Sequence, residues 1–151
     1  NLLFTTENIL MTSRLINGQF PNYEQIIPNP AYVAEVQSIL IRNTVDRMRV
    51  LPYDKNVKIL PTRLTLNGNN EMEVCASSEI AGEIKETLVL DKSAKLEEPL
   101  NIGVNTNYLH DILKQVEGET TSLGFTGALN PILITGEGAT QYVLVPLRLT
   151  S

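Results

Sequence analysis

The chain has 151 residues, of which 42% are hydrophobic and 19% charged, and it carries a net charge of −5. That length supports one domain, or one domain and a fragment of another, with a real core. The acidic balance, with no run of like charges, argues against nonspecific nucleic-acid binding through a basic patch.

One cysteine, Cys75, and one histidine, His110, exclude an internal disulfide and a Cys/His metal cage. Cys75, in MEVCAS, reads as a small buried hydrophobe, and a single unpaired thiol fits a reducing cytosol. With no Trp and 5% aromatics, a base-stacking platform is not indicated. The longest apolar run, YVLVPL at 142–147, is too short to cross a membrane. The start has no basic signal-peptide region and no Met, so the chain is expected to be a piece of a longer protein.

The first elements are two strands, LLFTT and ILMTSRLI, joined by a turn at Glu7-Asn8. A lone hairpin is marginal in water, so this one needs a partner. The stretch RLINGQFPNYEQIIPNP at 14–30 follows, broken at Gly18 and rich in proline. YVAEV is a short strand. A helix then runs from Gln37-Ser38 to Pro52, with Leu40, Thr44, Val45, Met48 and Leu51 on one side and Arg42, Asn43, Asp46, Arg47 and Arg49 on the wet side.

VKILPTRLTL and EMEVCASS flank NGNN, where Asn67-Gly68 is the strongest hairpin signal. In GEIKETLVL the core positions are Ile84, Thr87 or Leu88, and Leu90, while Glu83, Lys85 and Glu86 face water. DKSAKLEEP is a loop. LNIGV is a strand. Asn105 caps a second helix with Leu109, Ile112, Leu113 and Val116 on one face and Gly118 as its stop. TTSLGFTG, NPILITG and QYVLVPLRL are three further strands. Pro146 confines the last to a strand end or an edge.

The order strand–helix–three strands therefore occurs twice, at roughly 31–90 and 99–149. The predicted class is α+β, a duplicated βαβββ unit with two helices packed side by side on antiparallel sheets.

No catalytic group stands out. Glu97-Glu98 read as solvated loop charge, and His110 as a surface residue on the polar side of its helix near Lys114. TGEGAT precedes a strand rather than a helix, which argues against a phosphate cradle, and no P-loop, GxGxxG or HExxH is present. The expectation is a protein with no catalytic residues, no metal and no cofactor.

Three segments carry a resemblance. SRLINGQFPNYEQIIP is similar to the link between the second and third domains of the bacterial sliding clamp, the beta subunit of DNA polymerase III. NIGVNTNYLHDIL resembles the start of that family's last helix, and YVLVPLRL its terminal strand. They occur in the family's order, and the likeness spans the whole chain and about the last two-fifths of a complete clamp.

The resemblance implies a DNA-clamp fold: residues 1–28 as the last hairpin of the second domain and the linker, and 29–151 as the third domain. It implies a non-catalytic processivity factor of the bacterial cytoplasm, a head-to-tail homodimeric ring that encircles duplex DNA without reading its sequence. Its partners would be the DNA polymerase III catalytic subunit, the clamp loader and other proteins with a clamp-binding motif, each docking a short peptide.

By position, this chain's side of the peptide pocket would be Pro21, Gln25, Ile26, Leu129, Pro131, Val143, Val145, Pro146, Leu147 and Arg148. The family often has a basic residue where Gln25 stands, and some members have a small polar residue in place of Pro131. The ring interface would use Val50, Leu51, Glu83 and Glu86, and Arg42 and Arg47 would face DNA. The rival readings are a stand-alone α+β peptide-binding adaptor with no DNA role, and a small hydrolase, for which two converging acids are missing.

Overall fold

Apolar residues at every second position give each long strand one dry face, and a computed structural model, which describes residues 1–53 and 59–149, shows where those faces meet. A hairpin, β1 (Leu2–Thr5) and β2 (Leu10–Ser13), comes first, and a 3₁₀ turn follows at Tyr23–Gln25. The first half comprises β3 (Tyr32–Gln37), α1 (Ser38–Arg49), β4 (Pro61–Leu66), β5 (Glu71–Ser78) and β6 (Gly82–Val89). A short β7 (Lys92–Ser93) leads to the second half: β8 (Leu100–Asn105), α2 (Thr106–Gln115), β9 (Thr120–Phe125), β10 (Ile132–Thr135) and β11 (Gln141–Leu144).

The halves exchange their first strands. One sheet has the order β11-β10-β9-β3-β7 and the other β6-β5-β4-β8, with antiparallel pairing throughout. Each meander is thus completed by the opening strand of the other half. Matching contacts secure the two helix starts. Ser38 N donates to Glu119 O at 2.7 Å, and Thr106 N donates to Leu60 O at 3.1 Å. The Ser38 and Thr121 hydroxyls lie 2.9 Å apart, and those of Thr62 and Thr106 2.7 Å apart. These buried polar groups satisfy one another across the fold, as burial demands.

The core lies between helices and sheets. Ile41, Val45, Met48, Leu64, Met72, Ile102, Leu109, Leu113, Leu123, Phe125 and Ile134 are all buried in it. Each such side chain contributes about 1.5–3 kcal/mol relative to exposure. The duplicated βαβββ order and the antiparallel sheets agree with the sequence expectation, as does β11 as an edge strand.

Several positions differ. Leu40 is 39% exposed, and the buried face of α1 runs through Ile41, Thr44, Val45 and Met48. Those four hold the i, i+3, i+4, i+7 phase, and Leu40 sits about 100° away from Ile41 around the axis. On β6 the inward set is Ile84, Glu86 and Leu88, continued by the buried Leu90 just past the strand, so Glu86 joins the inner side and Leu88, not Thr87, is the core residue. The 91–99 stretch is not all loop, because Lys92 and Ser93 pair with Glu35 and Ala34. The last strand ends at Leu144 rather than continuing to Leu149. Val57 and Lys58, expected at the start of a strand, lie outside the described residues.

Residues 1–26 are exposed throughout. Ile27 and Pro28 are half-buried, and the first hydrogen bonds to the body come at 29–31. Asn29 O accepts from Thr126 Oγ1 at 3.4 Å, Ala31 N donates to Phe125 O at 2.9 Å, and Pro30 covers Gly124, where a Cβ would lie 2.7 Å from Pro30 Cγ.

Candidate functional site

Asn105 ends β8 and starts α2. Its side-chain oxygen accepts from Asn107 N at 3.0 Å and Tyr108 N at 3.4 Å, which satisfies two of the free donors of the first turn. From there Tyr108 and Ile112 follow at helical spacing along the flank of α2. Opposite this flank β11 ends, and the chain turns through Val145 and Pro146 toward β8. Between the two lies a groove of about 520 Å³, lined by Ile59, Asn105, Tyr108, Asp111, Ile112 and the run from Val143 to Leu147. It is a mostly apolar trough with a few polar groups on its helix side, the usual make-up of a site that takes apolar side chains.

Of the expected pocket residues, Val143, Val145, Pro146 and Leu147 line this groove. Pro21, Gln25 and Ile26 stand exposed around the 3₁₀ turn, Leu129 is 62% exposed before β10, Pro131 is half-buried at the start of β10, and Arg148 is exposed; none of these six lines it. Ile59, Asn105, Tyr108, Asp111, Ile112 and Leu144 join it without having been expected. The i, i+3, i+7 spacing of Asn105, Tyr108 and Ile112 is the sequence signal that marks one helix flank.

A second surface is the edge formed by β6, which pairs with β5 alone among the described strands. Val50 is 78% exposed beyond the end of α1, and Val89 and Ile80 are 69% and 66% exposed at the two ends of β6. Leu51, expected beside Val50 in an interface, is instead buried in the core. Glu83 accepts the Cys75 thiol proton at 2.7 Å and lies 3.8 Å from Arg63.

Glu86 is held within the chain. Arg47 Nε and Nη2 donate to its two oxygens at 2.6 Å each, and Thr44 Oγ1 donates at 2.9 Å. The Arg47 hydrogen bond holds the Glu86 carboxyl below its ordinary range, with the Thr44 hydroxyl adding to it. The same contact raises Arg47.

The third feature is the seam where α1 and α2 lie side by side. Arg42, expected on the wet face, is half-buried there: its Nε donates to Leu113 O at 2.8 Å, and its Nη2 donates to Val116 O. It caps the C-terminal carbonyls of the neighbouring helix, a favourable end for a cation. His110 is also no open surface residue, with its side chain only 13% exposed. Its Nε2 lies 2.8 Å from Arg49 Nη1 and 3.0 Å from Asp46 Oδ1, and its Nδ1 lies 3.1 Å from Asp111 Oδ1. Arg49 Nε also donates to Asn107 Oδ1 at 3.1 Å. Among the described residues no group of three or more His, Cys, Asp or Glu is placed to hold a metal ion, and no helix is long and apolar enough to cross a membrane.

Comparison with known proteins follows the same lines. Residues 24–148 match the family model for the DNA polymerase III beta subunit, C-terminal domain. The beta sliding clamp of Caulobacter vibrioides is 31% identical over 145 residues, 91% of this chain and 36% of the relative. That of Rickettsia bellii is 28% identical over 151 residues, covering 94% of this chain and 39% of the relative. Among solved structures, the sliding clamp of Pseudomonas aeruginosa superposes with a TM-score of 0.85 at 25% identity, over 97% of this chain and 39% of that one. The Bacillus subtilis clamp gives 0.84 at 27%, over 98% and 39%. The chain thus spans about two-fifths of the length of these relatives. With a family match over most of its length and a fold that superposes on solved clamps, the chain belongs to the DNA polymerase III beta subunit (sliding clamp) family and carries its C-terminal domain.

Proposed function

We propose that the chain is the C-terminal part of a DNA sliding clamp, a non-catalytic processivity factor of the bacterial cytoplasm. In the full protein, two copies form a ring around duplex DNA and tether the DNA polymerase III catalytic subunit, the clamp loader and other replication and repair proteins. Residues 1–28 are then the closing hairpin of the preceding domain and its linker, and 29–151 the third clamp domain. The hairpin fits this division, because residues 1–26 are exposed, while Ile27 and Pro28 are half-buried and Asn29 bonds to the body. A stand-alone adaptor would be expected to bury that hairpin.

The observation that carries the proposal is the groove between α2 and the terminal segment, which gathers Val143, Val145, Pro146 and Leu147 opposite Tyr108 and Ile112. A partner peptide would place a Leu or Phe in this trough, where desolvation of a few apolar anchors supplies most of the affinity. Pro21, Gln25 and Ile26 on the linker, with Leu129, Pro131 and Arg148, would extend the rim. Val50 and Glu83 on the β6 side would meet the partner subunit, in a heterologous contact that closes a ring. Leu51 and Glu86 would support that edge from within the fold. Arg42 and Arg47 would contribute positive potential on the DNA side while staying engaged in their own bonds.

The test is an amide-resolved NMR titration of the chain with a short Gln-Leu-x-Leu-Phe peptide. Shifts at 105–112 and 143–147 are expected. Shifts confined to another face, or none at saturating peptide, overturn the assignment of the groove.

A further inference from the structure

In both halves a segment follows the third strand of the meander and returns to the half's own first strand. After β6, β7 lies beside β3: Asp91 N donates to Glu35 O at 2.8 Å and Ala94 N to Val33 O at 3.1 Å. After β11, the terminal segment reaches β8, where Leu147 N donates to Gly103 O at 2.7 Å. Glu35 and Gly103 hold the same place, the fourth residue of Tyr32–Gln37 and of Leu100–Asn105. The two returns are therefore counterparts, and the residue beneath them differs.

That difference has a steric meaning. A Cβ on Gly103 would lie 2.7 Å from Leu149 Cδ2 and 2.9 Å from the Leu147 carbonyl oxygen. The second obstacle is main chain and cannot swing aside. Among the described residues, the antiparallel bridge to Gly103 is also the one main-chain pairing recorded for 145–149. Pro146 has no N–H to add another. Position and orientation of the segment thus depend on one close approach, a role for which glycine is suited.

We propose that Gly103 is the positioning residue of the groove: its missing side chain lets the terminal segment settle onto β8, and this seat presents Val145, Pro146 and Leu147 as one wall of the trough. The proposal rests on the peptide-groove reading. Gly103 touches no peptide itself.

The experiment compares the 151-residue chain with its Gly103→Ala variant in two measurements. One is peptide affinity in the same Gln-Leu-x-Leu-Phe titration, and the other is hydrogen exchange of the Leu147 amide. We expect Gly103→Ala to weaken the peptide by about tenfold or more and to speed Leu147 exchange by a similar factor, with amides of β4 and β9 keeping their protection. An unchanged affinity, or an unchanged Leu147 amide, overturns the proposal. Leu149→Ala is the second variant, for the case that Gly103→Ala does not fold. It adds no atom but removes the apolar contact over Gly103, so Leu147 exchange should rise and affinity fall by a smaller factor; unchanged Leu147 exchange there also overturns it. If the unaltered chain binds no peptide, the groove reading falls, and Leu147 exchange alone decides whether Gly103 seats the segment.

Discussion

The Arg42 guanidinium reaches from α1 across the seam to the end of α2, where its Nε donates to the Leu113 carbonyl at 2.8 Å. Seventy-one positions separate the two residues along the chain. The contact ties the helices of the two halves together and satisfies carbonyls that the last turn of α2 leaves open.

Replacing Arg42 with Ala should therefore cost stability first. Hydrogen bonds to a charged donor are worth about 1.5–3 kcal/mol, and the loss should fall in that range. Urea unfolding checks the magnitude. Arg42→Lys should recover only part of it, because an ammonium cannot reproduce the guanidinium fork that serves both carbonyls. Full recovery with Lys would show that charge alone matters.

Glu86 predicts an acid-side dependence. Its folded pKa lies below the ordinary carboxylate value because Arg47, and then Thr44, donate to the ionised form. A depressed folded value means that the contribution is present above the unfolded pKa, about 4.3, and is lost as pH falls through the folded value. Glu86→Gln should lower the urea midpoint modestly at neutral pH, and the gap to the unaltered chain should narrow as acid protonates Glu86 in the folded chain. A gap that stays constant as the pH is lowered would assign the effect to packing instead.

Cys75 should be inert. Burial raises its thiol to about 11, with the hydrogen bond to Glu83 adding to the shift. Thiolate is the reactive form, so little is present at pH 8. Reaction with a disulfide reagent at that pH should be slow in the folded chain and faster by at least about tenfold in urea. Equal rates would mean that the thiol is open in the native state.

Much of the architecture was legible from local pattern. Period-two alternation marked the long strands. The residues Thr44, Val45 and Met48 showed the buried side of α1, and Asn105 announced the start of α2 as a side-chain cap. Asn67-Gly68 marked the β4–β5 turn, where Gly68 takes φ +72° and Asn70 φ +60°. β7 escaped notice because two residues are too few to show a period, and only pairing with β3 makes them a strand. In the groove, the resemblance picked out Val143, Val145, Pro146 and Leu147, but the helix flank that faces them emerged only from the fold.

The duplicated βαβββ order, the dry face of most elements and the likeness to a known family could be read from local sequence, because they depend on neighbours a few residues apart. Tertiary structure alone decided which charges are free. Arg42 and Glu86 looked solvated by periodicity, yet Arg42 meets carbonyls 71 and 74 positions away, and Glu86 meets Arg47 and Thr44 39 and 42 positions away. A charged side chain is drawn to whatever carbonyl or counter-ion the packing brings within reach, and that distance is not written in local spacing.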